Sequence, residues 1–220
     1  MSIGAGTLIF FGCVIASVIL HEISHGVVAL AFGDDTAKRA GRLTLNPVPH
    51  IDPVGSILLP GLMVLSGGPA FGWAKPVPVS PGRLRDPRRQ MLWVGLAGPA
   101  TNFALMFVAA SAARSASLNA GPQTHALNVY GPLAFVVVVT LARANLFLGL
   151  FNLLPIPPLD GSSLIERVLP RHWLPGWYRY RQYGFLILFL AVFLFHVFDH
   201  IIVPFDDALL RFMKLHAFSF

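Results

Sequence analysis

Residues 7–33 read TLIFFGCVIASVILHEISHGVVALAFG, an apolar run with two histidines and a glutamate in its second half. The run exceeds the ~20 residues a helix needs to cross a bilayer, and ionisable groups inside such a run are costly and usually functional. The composition around it agrees: 55% of the 220 residues are hydrophobic, 12% are charged, and the mean hydropathy is +0.67. A soluble domain carries about twice that share of charge, which excludes globular cytosolic enzymes, disordered chains and coiled coils. Cys13 is the single cysteine, so the chain has no internal disulfide and no cysteine-based zinc or redox motif.

Three further stretches are long and apolar enough to span: 91–118, 130–154 and 183–205. A fifth, 54–67 (VGSILLPGLMVLSG), is shorter and interrupted by Pro60 and Gly61, and reads as a re-entrant element. Charge parity favours that reading. With 54–67 re-entrant, loops 34–90 and 155–182 share one side and hold 12 of the 16 basic residues, while 119–129 has none. Basic residues mark cytoplasmic loops, so the +6 net charge sets orientation and does not indicate a nucleic-acid partner. Both termini are then external. The first 20 residues lack a positive charge and the apolar run continues past signal-peptide length, so it reads as retained. Trp173, Trp177, Tyr178, Tyr180 and Tyr183 cluster with Arg179 and Arg181 as an interfacial belt before the last span.

The histidines are His21 and His25 of a His-Glu-x-x-His motif. Four residues make just over one helical turn, so both imidazoles lie on one face and can grip one zinc ion, with Glu22 within reach of a water on it. Zinc lowers the pKa of such a water toward ~7, and Glu22 can take its proton and pass it to the leaving amine. From this composition roughly 0.003 accidental matches are expected, which makes coincidence a weak explanation. A catalytic zinc needs a third protein ligand and an open position. The candidate is Asp160, at the end of NLLPIPPLDG (152–161), whose prolines forbid a regular helix at the close of the third span.

Taken together, HEISH, Gly98-Pro99-Ala100-Thr101-Asn102 and FNLLPIPPLDG (151–161) resemble the site-2 protease family of intramembrane zinc metalloproteases, over roughly residues 7–161. The resemblance implies zinc held by His21, His25 and Asp160, Glu22 as general base, and peptide-bond hydrolysis in or at the edge of the bilayer. It also places Asn102 and Asn152 near the metal, as substrate or oxyanion donors. The alternative for each is a hydrogen bond between helices. Loop 119–129 is too short for an inserted peptide-binding domain and the tail too short for a nucleotide-sensing one, so the chain reads as a minimal, core-only member.

The expected architecture is therefore an all-α multi-pass membrane protein: one domain over 1–220, with about four transmembrane helices around a zinc site. The catalytic core covers about 7–161 and an accessory helix about 183–205. Between the first two spans, 71–79 (FGWAKPVPV) is too proline-rich for a helix. Pro76 and Pro78 share one edge, leaving the donors of Lys75, Val77 and Val79 on the other, and the segment is expected to form part of a hairpin that clamps substrate by strand addition; a plain connector is the alternative. A second metal site at His50 and Asp52 is conceivable beside the simpler reading of a hydrogen-bonded surface pair. Arg143, near the middle of the third span, must pair, snorkel or line a wet cavity.

The function expected is regulated intramembrane proteolysis of membrane-protein segments, from the plasma membrane of a prokaryote, with the active site toward the cytoplasm. The partners are a transmembrane substrate and the bilayer; the oligomeric state is open. Two alternatives stand beside it. One is a metalloprotease with its zinc in a soluble domain and Glu166 as third ligand, disfavoured because His21 lies in an apolar interior. The other is a non-catalytic membrane protein that binds transmembrane clients, or a transporter using the broken helix near Pro155.

Overall fold

A computed structural model describes residues 4–65, 72–119, 133–193 and 197–215. The described residues are mostly helical and contain no strand. Among the described residues three helices are long and apolar enough to cross a membrane: α1 (Ala5–Ala31), α4 (Pro87–Asn119) and α5 (Leu133–Asn152). Shorter helices are α2 (Thr36–Arg39), α3 (Leu59–Leu65), α6 (Ser162–Val168), α7 (Leu174–Arg181), α8 (Gly184–Phe193) and α9 (Val197–Phe212). In lipid a helix is favoured because it satisfies every backbone group within the segment. The surface agrees with such a solvent: Leu8, Phe10, Ile15, Phe107 and Val108 are exposed along α1 and α4.

The described chain forms two compact units, one of residues 18–98 and one combining the residues up to Ser17 with those from Pro99 onward. In the first, α1 closes with a Schellman motif. Gly33, at φ +104°, donates its amide to Leu30 O at 3.0 Å, and the Asp34 amide returns to Ala29 O at 2.9 Å. The Asp34 side chain is fully buried and accepts from the Thr36 amide at 3.0 Å, the Thr36 hydroxyl and the Ser80 amide at 2.6 Å. Burial pushes the Asp34 carboxyl up; those hydrogen bonds and the Arg39 charge outweigh it and hold the group below its ordinary range.

The stretch expected to re-enter begins as a π-helical piece, Pro53–Leu58, that runs into α3. Asp52 caps it, accepting from the amides of Val54 at 3.0 Å and Gly55 at 2.7 Å. Six and seven residues at ~1.5 Å each cover about 20 Å, short of the ~30 Å hydrocarbon core. Residues 66–71, which follow, lie outside the described part.

Among the described residues the expected hairpin is not seen. Phe71 lies outside the described residues, and 72–80 is extended but makes no strand pairing. The physical reason is that the donor edge is already used: the Trp73 amide bonds Gly55 O at 3.1 Å and the Lys75 amide bonds His50 O at 2.9 Å. The opposite edge lacks N–H groups at Pro76 and Pro78.

In the second unit, small residues of α4 (Ala109, Ala110, Ala113) and Ala142 and Leu146 of α5 pack with Leu209, Leu210 and Met213 at the C-terminal end. Alanines let helix backbones approach closely, which is how helices associate in lipid. A buried chain of polar groups threads the same unit: Asn102 Nδ2 donates to Asn145 Oδ1 at 2.8 Å, Asn145 Nδ2 to Ser17 Oγ at 2.8 Å, and Ser17 Oγ to Cys13 O at 2.7 Å. Arg143 pairs: its Nε and Nη2 donate to the two carboxylate oxygens of Asp206 on α9, at 2.9 and 2.7 Å. The apolar stretch 183–205 is divided between α8 and α9, with 194–196 outside the described residues, so this part is not one continuous described helix. α9 continues past the apolar stretch to Phe212 and thereby brings Asp206 to Arg143.

Candidate metal centre

His21 and His25 stand one turn apart on α1, both buried, with ring centroids 4.7 Å apart and planes at 85°. Their Nε2 atoms approach to 3.1 Å. Two nitrogen ligands ~2.0–2.1 Å from one tetrahedral zinc would lie about 3.3 Å apart, so the pair already has close to the required bite. The other face of His25 is fixed: Nδ1 lies 2.6 Å from the Val94 carbonyl on α4. That contact assigns the proton to Nδ1 and makes Nε2 the accepting nitrogen, the arrangement in which a metal-binding histidine is oriented from behind.

Gly98 lies against the imidazoles. A Cβ built there would stand 2.5 Å from His21 Nε2 and 2.6 Å from His25 Nε2, so any larger residue would fill the space into which both nitrogens point. The donor set and the cradle both fit zinc.

Glu22, beside His21 in sequence, is half-buried and accepts the Val77 amide on Oε2 at 2.7 Å. Val77 is buried, and the segment that carries it is held by Arg42, whose Nη2 donates to Lys75 O at 2.5 Å. His50 and Asp52 are engaged locally: His50 Nε2 contacts Thr44 O at 3.0 Å, and Asp52 caps the π-helical turn. The structure therefore brings His21, Glu22, His25, Val77, Val94 and Gly98 into one cluster. Sequence reasoning missed three of these roles: Val94 acts through its backbone, Gly98 through the absence of a side chain, and Val77 through an amide aimed at Glu22.

Asp160, Asn102 and Asn152 belong to the other unit. Asp160 is half-buried on the irregular turn after α5, where Gly161 N bonds Asn152 O at 2.7 Å and the Ser163 amide bonds Asp160 O at 3.0 Å. Asn152 is partly exposed and donates its side-chain amide to Leu148 O at 2.9 Å, whereas Asn102 is fully buried.

Among curated proteins, the chain is 38% identical to a Bacillus subtilis protein titled "Putative zinc metalloprotease YwhC", over 88% of this chain and 84% of that one. The chain belongs to the site-2 protease family. A similarly titled Mycolicibacterium smegmatis protein, Rip2, is 33% identical over 78% of this chain and 61% of its own length. "Zinc metalloprotease MJ0392" of Methanocaldococcus jannaschii is 25% identical over 75% of the chain and 35% of its own length. No family model and no solved structure matches. The family fits what α1 carries: a metalloprotease motif on a helix of membrane-spanning length.

Proposed function

We propose that this protein is an intramembrane zinc endopeptidase that cleaves transmembrane or membrane-proximal segments of membrane proteins, from the plasma membrane of a prokaryote with its site open to the cytoplasm. One observation carries the reading: two histidine Nε2 atoms 3.1 Å apart, backed by the Val94 carbonyl and cradled by Gly98, on a helix long and apolar enough to span a bilayer. A site at membrane depth serves a substrate that is itself in the membrane.

In this reading His21, His25 and Asp160 hold zinc, because two histidines and a carboxylate make a catalytic set that leaves one position open. Zinc held there supplies Lewis acidity, polarising a carbonyl oxygen and making water a nucleophile at neutral pH. Glu22 takes the proton from the attacking water on one carboxylate oxygen and delivers it to the leaving amine nitrogen as the peptide bond breaks. His25 keeps its orientation through Val94. Asn152, partly exposed, is the better placed of the two asparagines to donate to substrate; Asn102, fully buried with its amide nitrogen on Asn145, is assigned to helix packing.

The test is metal content and cleavage measured on the same preparations. Purified protein should hold one zinc per chain and cut a tagged single-pass reporter, and His25→Ala and Asp160→Ala should each lose both. A folded wild-type protein that takes up no zinc would sink the reading in favour of a client-binding role.

A further inference from the structure

Residues 72–80 run beside the end of α1 as an extended strap, fastened along its length. Trp73 and Lys75 donate their amides to Gly55 O and His50 O, Ser56 Oγ donates to Trp73 O at 2.8 Å, Arg42 holds Lys75 O, and Ser80 bonds buried Asp34. Midway along it, the Val77 amide donates to Glu22 Oε2 at 2.7 Å. The Val77 side chain packs over Gly26, a turn beyond Glu22; a Cβ built on Gly26 would lie 3.1 Å from Val77 Cγ1. Val77 is 7% exposed. Its two neighbours are prolines, so no adjacent amide can replace this donor.

A carboxylate that serves as general base must offer one oxygen to water and keep the other from competing for it. A side chain with three rotatable bonds does this poorly unless something fixes it. A backbone amide on an anchored segment is a good fixture, since it has no rotamer of its own and donates a charge-assisted hydrogen bond. The anchors lie on both sides of Val77: at 73 and 75 before it and at 80 after it.

From this geometry we propose that the peptide N–H of Val77 is a positioning group for Glu22, holding Oε2 so that Oε1 faces the reacting water. The proposal rests on the peptidase reading above and adds to it a group outside the metal motif. It also gives the strap a task other than pairing with substrate: it belongs to the machinery that aims the base.

Val77→Pro removes the donor in a segment already flanked by prolines, while Val77→Ala trims the side chain and keeps the N–H. Zinc content, which does not depend on Glu22, should match wild type in both. With a detergent-solubilised, tagged single-pass reporter, Val77→Pro should lower kcat about 10²-fold below that of Val77→Ala with KM unchanged, the scale expected of a misplaced catalytic group. The chain has two glutamates, so in a Glu166→Gln background 13C-glutamate isolates the Glu22 carboxylate. Its infrared stretch should shift in Val77→Pro and not in Val77→Ala.

If Val77→Pro does not fold, hydrogen exchange asks the same question with the strap unaltered. Val77 carries the single exchangeable amide between residues 76 and 78, and it should be protected in wild type and released in Glu22→Ala. An unshifted stretch, or protection that survives Glu22→Ala, overturns the proposal. So does a Val77→Pro protein with wild-type kcat, and in that case the peptidase reading stands. Zinc-loaded wild type that cleaves no reporter removes the peptidase reading and the positioning role together.

Discussion

The two units use polar side chains for different purposes. Within residues 18–98 the key side chains bond to backbone: His25 to Val94 O, Glu22 to Val77 N, Arg42 to Lys75 O, and Asp34 to the amides of Thr36 and Ser80. In the other unit, side chains bond to side chains across helices: Asn102 to Asn145, Asn145 to Ser17, and Arg143 to Asp206. The difference follows from local structure. Irregular segments such as 42–50 and 72–80 have amides and carbonyls to spare, which charged side chains can satisfy and thereby hold in place. Long helices satisfy their own backbone, so a polar residue on one either bonds a carbonyl one turn back, as Ser17 does to Cys13 O, or reaches a side chain on another. The first arrangement fixes atoms for chemistry and the second fixes helices.

The largest expected effect separates chemistry from architecture in the first unit. Glu22→Gln should abolish reporter cleavage, by at least the ~10²–10⁴-fold typical of a lost general base, with zinc content and folding retained. If zinc were lost as well, Glu22 would be a ligand and the contrast between a metal-holding pair and a proton-moving neighbour would fail.

In the second unit the greatest loss should come from Arg143→Ala, which leaves Asp206 without its partner. Breaking a buried pair costs ~3–5 kcal/mol; these side chains are 31% and 20% accessible, so about 2 kcal/mol is expected. The double replacement Arg143→Met with Asp206→Leu should recover most of it, as read by reversible unfolding in mixed micelles. Equal losses in the single and double variants would mean that the pair does not hold α9 to α5.

What could be read in advance divides along the same line. The span at α1 and the His21–Glu22–His25 face were legible, because helical period and the cost of ionisable groups in apolar sequence are local signals. The Pro76/Pro78 parity was legible too, and it named Val77 as a donor. Its acceptor was not, since Glu22 lies 55 residues away and nothing near Val77 in sequence points to it. The hairpin failed for the same reason: Gly55 O and His50 O had taken the edge. The stretch 183–205 reads as one span by hydropathy alone, yet α9 runs beyond it to carry Asp206. With eight aspartates in the chain, an acid just past an apolar run was the available clue to the partner of Arg143.

A smaller effect is expected at Asp34, and it depends on pH. Its carboxyl is held below the ordinary value in the folded protein, so in the acid range the unfolded state binds more protons and the contribution is complete above the unfolded pKa of ~3.9. It is lost as pH falls through the lower folded value. Asp34→Asn keeps an acceptor for Thr36 but offers an NH₂ where Ser80 N needs an oxygen. It should cost about 1.5 kcal/mol near neutral pH, the lower end for a hydrogen bond to a charged group, and flatten the acid limb of unfolding below about pH 5. An acid limb identical to wild type would show that the strap's far anchor does not depend on this charge.

Asn102→Ala gives the smallest change in stability and bears most directly on the contrast between the units. Asn102 is fully buried, and its amide nitrogen heads a chain of bonds through Asn145 and Ser17 to the Cys13 carbonyl. If it belongs to the architecture, its removal should cost about 0.6 kcal/mol, the average measured for hydrogen bonds between membrane helices, and leave kcat of the folded fraction unchanged. If its amide instead serves an oxyanion, kcat should fall ~10²–10³-fold with little change in unfolding. Asn152→Ala is the matched comparison. Asn152 is partly exposed and its amide bonds within its own helix, to Leu148 O, so its loss removes no tie between helices and any fall in activity must arise where substrate is held. A loss of kcat confined to Asn152 keeps chemistry and architecture in separate side chains; a loss confined to Asn102 would mean that one buried network serves both.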